Sequence, residues 1–229
     1  MTPPEVRTEH AGVALRGYLA PPRAGTAQAS RAAVVVIQEW WGLTPDIRDV
    51  AERYASEGYL AYCPDLYHGA VADEPDEARK QALMLDRESA VREILAAVQW
   101  LRAEHGARRV GVTGFCLGGS LTLESLLRPD SGIDAGHAYY GGGQLAPAQV
   151  ATISVPVAGS FGSLDESIPR EQVDAIRAAL ERAGTPNDIV MYEGARHAFF
   201  NPTREAYHPE AAADSWRRSL GWWERYLRD

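Results

Sequence analysis

Cysteine is scarce in this chain. The 229 residues contain only Cys63 and Cys116. With no C-x-x-C and no His/Cys cluster, two thiols give neither a disulfide framework nor a zinc site, so no metal is expected. Long hydrophobic runs are also missing. None approaches the ~18 apolar residues of a membrane helix, and the opening Met1-Thr2-Pro3-Pro4-Glu5-Val6-Arg7 lacks the apolar segment of a secretory signal. Positive charge is outweighed, with 23 Lys and Arg against 31 Asp and Glu, a formal net charge of −8. No local basic stretch offsets it, so neither nucleic acid nor membrane is an expected partner, and the acidity reads as solubility. Internal repeats and low-complexity tracts are absent. A reducing, cytoplasmic location is expected. What remains is an ordinary globular balance, 45% hydrophobic and 24% charged, at a length that suits one domain over residues 1–229.

The pattern along the chain alternates strands with helices. An edge hairpin is expected around Val6 and over 13–19, then a Pro/Gly/Ala loop over 20–30. The β-branched run Ala32-Ala33-Val34-Val35-Val36-Ile37 has the composition of a strand buried on both faces. Pro45 opens a helix that ends by Gly58, and 59–63 is a short apolar strand stopped by Pro64. Helical periodicity then spans 75–104, with Leu83, Val91, Ile94, Leu95, Val98 and Leu101 on one side and Gly106 as the stop. Further strands are expected at 109–115, 135–140, 155–161 and 189–192, and helices at 117–127, 170–182 and 211–227. Such alternation implies βαβ crossovers and a mainly parallel sheet with helices on both faces and no large cap. In such sheets chemistry gathers at the carboxyl ends of the strands.

Gly114-Phe115-Cys116-Leu117-Gly118-Gly119 lies between an expected strand and an expected helix. It matches G-x-S-x-G with Cys in place of Ser, a strained turn in which small flanking residues let the central side chain project. The helix N-terminus beside the sulfur favours the thiolate. A buried structural cysteine is the competing reading, and it fits Cys63 better. The order nucleophile, acid, histidine is then met by Asp165, in the loop after the strand ending near Phe161, and by His197, after the strand ending near Tyr192. A Cys/His pair needs such a third group to fix the ring's tautomer. Asp165 alone could be a turn former. His208 and His137 are the rival histidines, but His208 follows no strand and His137 sits inside one.

Together with Gln38-Glu39-Trp40-Trp41-Gly42, Cys63-Pro64-Asp65-Leu66-Tyr67 and Gly194-Ala195-Arg196-His197, these residues resemble the dienelactone hydrolase (carboxymethylenebutenolidase) family, from about residue 10 to the C-terminus. The resemblance implies an α/β-hydrolase fold and hydrolysis of a small enol-lactone or ester through a thiol acyl-enzyme, with no cofactor. It makes Cys116 the nucleophile, His197 the base and Asp165 its orienting partner. The oxyanion hole is assigned to the backbone N–H groups of Leu117 and Trp40. Glu39 becomes an extra carboxylate that helps deprotonate the thiol, its alternative being a structural salt bridge to an arginine.

The family's carboxylate clamp is at best half present. Of its two arginines, one position is Asn201 here, and near the other only Arg79 is basic. Arg196 and Arg204 are further candidates, each of which reads first as a surface arginine. Trp40, Trp41, Tyr67, Phe199 and Phe200 are candidates for an aromatic mouth, with the core as their competing destination. The expected partner is thus a small ester or lactone, in a monomer or small homo-oligomer. Rival readings are a generalist carboxylesterase or thioesterase on neutral substrates and a non-catalytic binding module; the latter predicts a damaged triad.

Overall fold

The structure is a computed structural model that describes residues 5–23, 31–142 and 144–228. The expected loop over 20–30 therefore lies largely outside the described residues. Among the described residues eight strands form one sheet: β1 (Glu5–His10), β2 (Val13–Ala20), β3 (Ala32–Ile37), β4 (Leu60–Pro64), β5 (Arg109–Phe115), β6 (Ala135–Tyr139), β7 (Val157–Gly162) and β8 (Asn187–Tyr192). Their order is β1-β2-β4-β3-β5-β6-β7-β8. The β1/β2 and β2/β4 pairs are antiparallel, and every other pair is parallel. Seven helices accompany them among the described residues: α1 (Pro45–Ser56), α2 (Pro75–Met84), α3 (Arg87–His105), α4 (Leu117–Leu126), α5 (Pro147–Val150), α6 (Arg170–Ala183) and α7 (Pro209–Leu227).

The central strand shows why the sheet needs two covers. All six residues of β3 are buried, and because successive side chains point to opposite faces they divide between two cores. Ala33, Val35 and Ile37 join a cluster that includes Val91, Ile94 and Leu101 of α3, Leu121 of α4 and Ile176 of α6. Ala32, Val34 and Val36 join another with Ile47, Val50 and Tyr54 of α1 and Trp222 and Trp223 of α7. Helices thus cover both faces, the architecture of the α/β-hydrolase fold. The amphipathic stripe of α1, with Ile47, Val50, Ala51, Tyr54 and Ala55 buried, has the i, i+3, i+4 spacing that such a cover requires.

One expectation fails. The helical periodicity over 75–104 is two helices rather than one. Leu85 is extended, and Asp86 caps α3 by accepting from the N–H groups of Glu88 and Ser89. An N-terminal cap of this kind offers the backbone an alternative to continued helix. Leu83 therefore leaves the buried face and is 80% exposed. No helix among the described residues is long and apolar enough to cross a membrane.

Candidate active site

The turn from β5 into α4 forces its middle residue into an unusual backbone. Cys116 has φ 55° and ψ −113°, a region that costs a non-glycine residue roughly 1–3 kcal/mol and persists only where the surroundings impose it. They do so by close approach. A Cβ on Gly114 would lie 2.3 Å from the Gly118 carbonyl oxygen, and one on Gly118 would lie 2.5 Å from the Gln38 carbonyl oxygen. Strand, helix and the end of β3 are packed too tightly there for any side chain. Cys116 ends up half-buried, whereas Cys63 is fully buried with its thiol turned to the Ile47 carbonyl oxygen at 3.6 Å. Burial pushes the Cys63 thiol far up, leaving it uncharged.

Beyond β7, Asp165 is buried, and its Oδ1 accepts from the N–H groups of Ser167 (2.8 Å) and Ile168 (3.2 Å). Those bonds aim Oδ2 at His197, in the loop after β8, whose Nδ1 lies 2.6 Å away. Burial pulls the His197 pKa down, but the bond to Asp165, the Cys116 thiol and the charges of both outweigh this and push it up to about 10. A histidine between a carboxylate and a thiol is thus set to carry a proton. Tyr140, just past β6, stands edge-on to the His197 ring at 5.1 Å between centroids. Cys116, Tyr140 (φ 35°) and Ala198 (φ 62°) all hold left-handed backbone around this one point.

Glu39 follows β3 and is 3% exposed. Oε1 accepts from the Tyr140 hydroxyl at 3.2 Å, and Oε2 accepts from the Asn201 amide at 3.0 Å. Burial raises its pKa, opposed by the Asn201 bond, by the charges of Arg204 and His197 and by the Tyr140 bond. No ion pair to Glu39 exists among the described residues, so the arginine salt bridge weighed from the sequence is absent. Arg204 instead lies over the Trp41 ring, 3.9 Å from its centroid, and Trp41 meets Trp40 edge to face. Tyr67 is partly buried with its hydroxyl unpartnered. Burial, then the neighbouring Cys116 sulfur, push this phenol up to about 12. Leu117 opens α4, where first-turn N–H groups lack helical acceptors, and Trp40 follows Glu39.

Three residues expected to contact substrate have other surroundings in the structure. Phe199 is fully buried against Tyr140 and Tyr192, because aromatic area is better spent in the core. Arg79 is exposed on α2, next to the single buried position of that helix, Ala78. Asn201 is 5% exposed and committed to protein partners. The rival histidines have structural work: His208 Nδ1 accepts from the Ala211 N–H at the start of α7, and buried His137 lies 3.0 Å from the Ser160 hydroxyl. Sequence reasoning missed Tyr140. Its place at the carboxyl end of a strand, before Gly141 and Gly142, was the available signal. No grouping of metal-ligating side chains occurs among the described residues.

Comparison with known proteins bears on the family. Residues 15–227 match the model of the dienelactone hydrolase family. "Protein usf" of Aquifex pyrophilus is 35% identical over 97% of this chain and 98% of its own length. A "Putative carboxymethylenebutenolidase" of Aquifex aeolicus is 32% identical over the same shares. Among solved structures, a "Putative Dienelactone Hydrolase" of Klebsiella pneumoniae superposes with a TM-score of 0.85 at 31% identity, covering 97% of this chain and 98% of that one.

Proposed function

The chain belongs to the dienelactone hydrolase family, and from that premise we propose that it cleaves a small ester or lactone through an acyl-enzyme on Cys116, within a single domain over residues 1–229. The observation that carries the reading is the 2.6 Å bond between Asp165 and His197, with the strained Cys116 among the groups that act on that ring. His197 draws off the thiol proton, with Glu39 as an auxiliary acceptor, and the sulfur attacks the carbonyl carbon. The N–H groups of Leu117 and Trp40 receive the developing oxyanion. His197 returns the proton to the leaving oxygen, then activates the water that releases the acid.

Trp40, Trp41 and Tyr67 are proposed to line the mouth. A preference for neutral esters over carboxylated lactones is favoured by one specific observation: Asn201 is turned onto Glu39, and Arg79 lies exposed on α2. The test is a substrate panel. Comparable kcat/KM for a carboxylated enol-lactone and a neutral ester of similar size supports this preference. A thousandfold preference for the carboxylate would mean that a full clamp exists, with Arg204 as the nearest candidate. No turnover of any ester or thioester would overturn the hydrolase reading.

A further inference from the structure

Asn201 occupies a position where the family resemblance expects a substrate-binding arginine, yet its side chain faces inward. The orientation of its amide is fixed by chemistry. Oδ1 accepts from the Thr203 N–H at 3.0 Å, a group that can only donate. Nδ2 must therefore face the two carboxylates, Glu39 Oε2 at 3.0 Å and Asp46 Oδ2 at 3.5 Å. The Thr203 hydroxyl closes the ring, 2.8 Å from Asn201 Oδ1 and 3.0 Å from Asp46 Oδ2. On its other side Glu39 takes the Tyr140 hydroxyl, and Tyr140 is held by its N–H to the Ser160 carbonyl at 2.9 Å. A cavity of about 210 Å³, lined by Phe115, Phe200 and Val50 among others, opens onto Glu39 and Asn201.

An arginine in this place would lock Glu39 as an anion, because charge-assisted bonds favour the ionised partner. Two neutral donors fix the carboxyl group in space while leaving it free to gain or lose a proton. We propose that Asn201 is a positioning residue, which holds Glu39 against Tyr140 as a proton-exchanging carboxyl group of the site instead of contacting substrate. In the step it serves, the Cys116 S–H bond breaks with its electron pair left on sulfur; His197 takes the proton in the main route, and a Glu39 oxygen takes it in the auxiliary one. The reverse transfer, or loss to water admitted by the cavity, restores the carboxylate. This inference rests on the hydrolase reading above.

The experiment measures kcat and KM for p-nitrophenyl acetate from pH 5 to 9 in the parent, Asn201→Asp, Glu39→Gln and the double variant. Asn201→Asp keeps the volume but replaces the donor by a third carboxyl group. It should lower kcat about tenfold with KM nearly unchanged. Its acid limb should move to higher pH, because added negative charge makes Glu39 harder to ionise. In the Glu39→Gln background the same change should cost nothing further and shift no limb. Asn201→Ser, which adds no charge, should lower kcat without moving the limb, and it guards against a folding defect in the aspartate variant. A raised KM in both backgrounds would make Asn201 a substrate contact and overturn the proposal. So would additive losses with no pH shift, which would mark a merely structural role. A parent inert toward every ester would instead overturn the hydrolase reading, and this proposal with it.

Discussion

Two cysteines in one chain provide an internal control. Cys116 projects from a strained turn and acts on the His197 ring, while Cys63 is buried and kept uncharged. Since the thiolate is the reactive form, one equivalent of iodoacetamide should label Cys116 and abolish ester hydrolysis. Mass spectrometry that found inactivation through Cys63, or full activity after labelling of Cys116, would refute the assignment. His197→Ala should lower kcat on the order of 10³-fold or more, with Asp165→Asn doing somewhat less, because the base is lost in one and only its orientation in the other. His208→Ala should leave kcat unchanged and cost only the cap of α7; an inactive His208→Ala would move the base there. At this scale the sequence was legible for placement: Cys116, Asp165 and His197 lie just past the ends of β5, β7 and β8, where the strand–helix pattern put them. It was not legible for Asn201. Whether that amide meets substrate or Glu39 depends on Thr203 and Asp46, whose approach is set by α1 and the 198–203 loop packing together, and no local pattern encodes that.

At the scale of elements, the turn between β5 and α4 is where packing tolerates least. Gly118→Ala would drive a methyl group to 2.5 Å from the carbonyl oxygens of both Ile37 and Gln38. Those are backbone atoms of the central strand and its exit, so relief requires moving the strand end that carries Glu39. Gly118→Ala should therefore lower both the thermal midpoint and kcat, by amounts read from calorimetry and turnover. A neutral effect on both would mean that the elbow has slack. The α2–α3 junction makes the opposite case, an element boundary that periodicity could not reveal. Apolar spacing continues across 75–104, and only the Asp86 side chain, bonded to the Glu88 and Ser89 N–H groups, turns the chain. Asp-x-x-Ser before an apolar run is a cap signal, but it competes with a run of good helix formers. Asp86→Ala should destabilise the fold through loss of the cap, seen as a lower denaturant midpoint with unchanged kcat.

The whole molecule places its chemistry along one edge of a shared sheet. β3, β5, β6, β7 and β8 are consecutive parallel neighbours, and Glu39, Cys116, Tyr140, Asp165 and His197 follow them in turn, so the stability of the sheet and the integrity of the site are one property. That stability carries a pH dependence set away from the candidate catalytic groups. His137 lies in β6 at the middle of the sheet, 1% exposed, stacked on Tyr139 with 4.2 Å between centroids and bonded to Ser160. Burial, aided by the charge of Arg218, lowers its pKa from 6.5 to about 3. Between those two values the unfolded chain binds a proton that the folded chain refuses. The unfolded state is thus favoured increasingly as pH falls from about 6.5 toward 3, at up to about 1.4 kcal/mol per pH unit. Above 6.5 both states leave the imidazole neutral and the contribution is flat. Acidic groups add slopes of their own, so the prediction is a difference. His137→Asn removes the titrating ring and leaves a group able to meet Ser160. It should be less stable than the parent at pH 7, through the volume it loses, yet show a shallower decline of unfolding free energy between pH 6.5 and 4. Denaturant unfolding at several pH values measures both slopes, and equal slopes in the two proteins would mean that His137 already carries its proton in the fold.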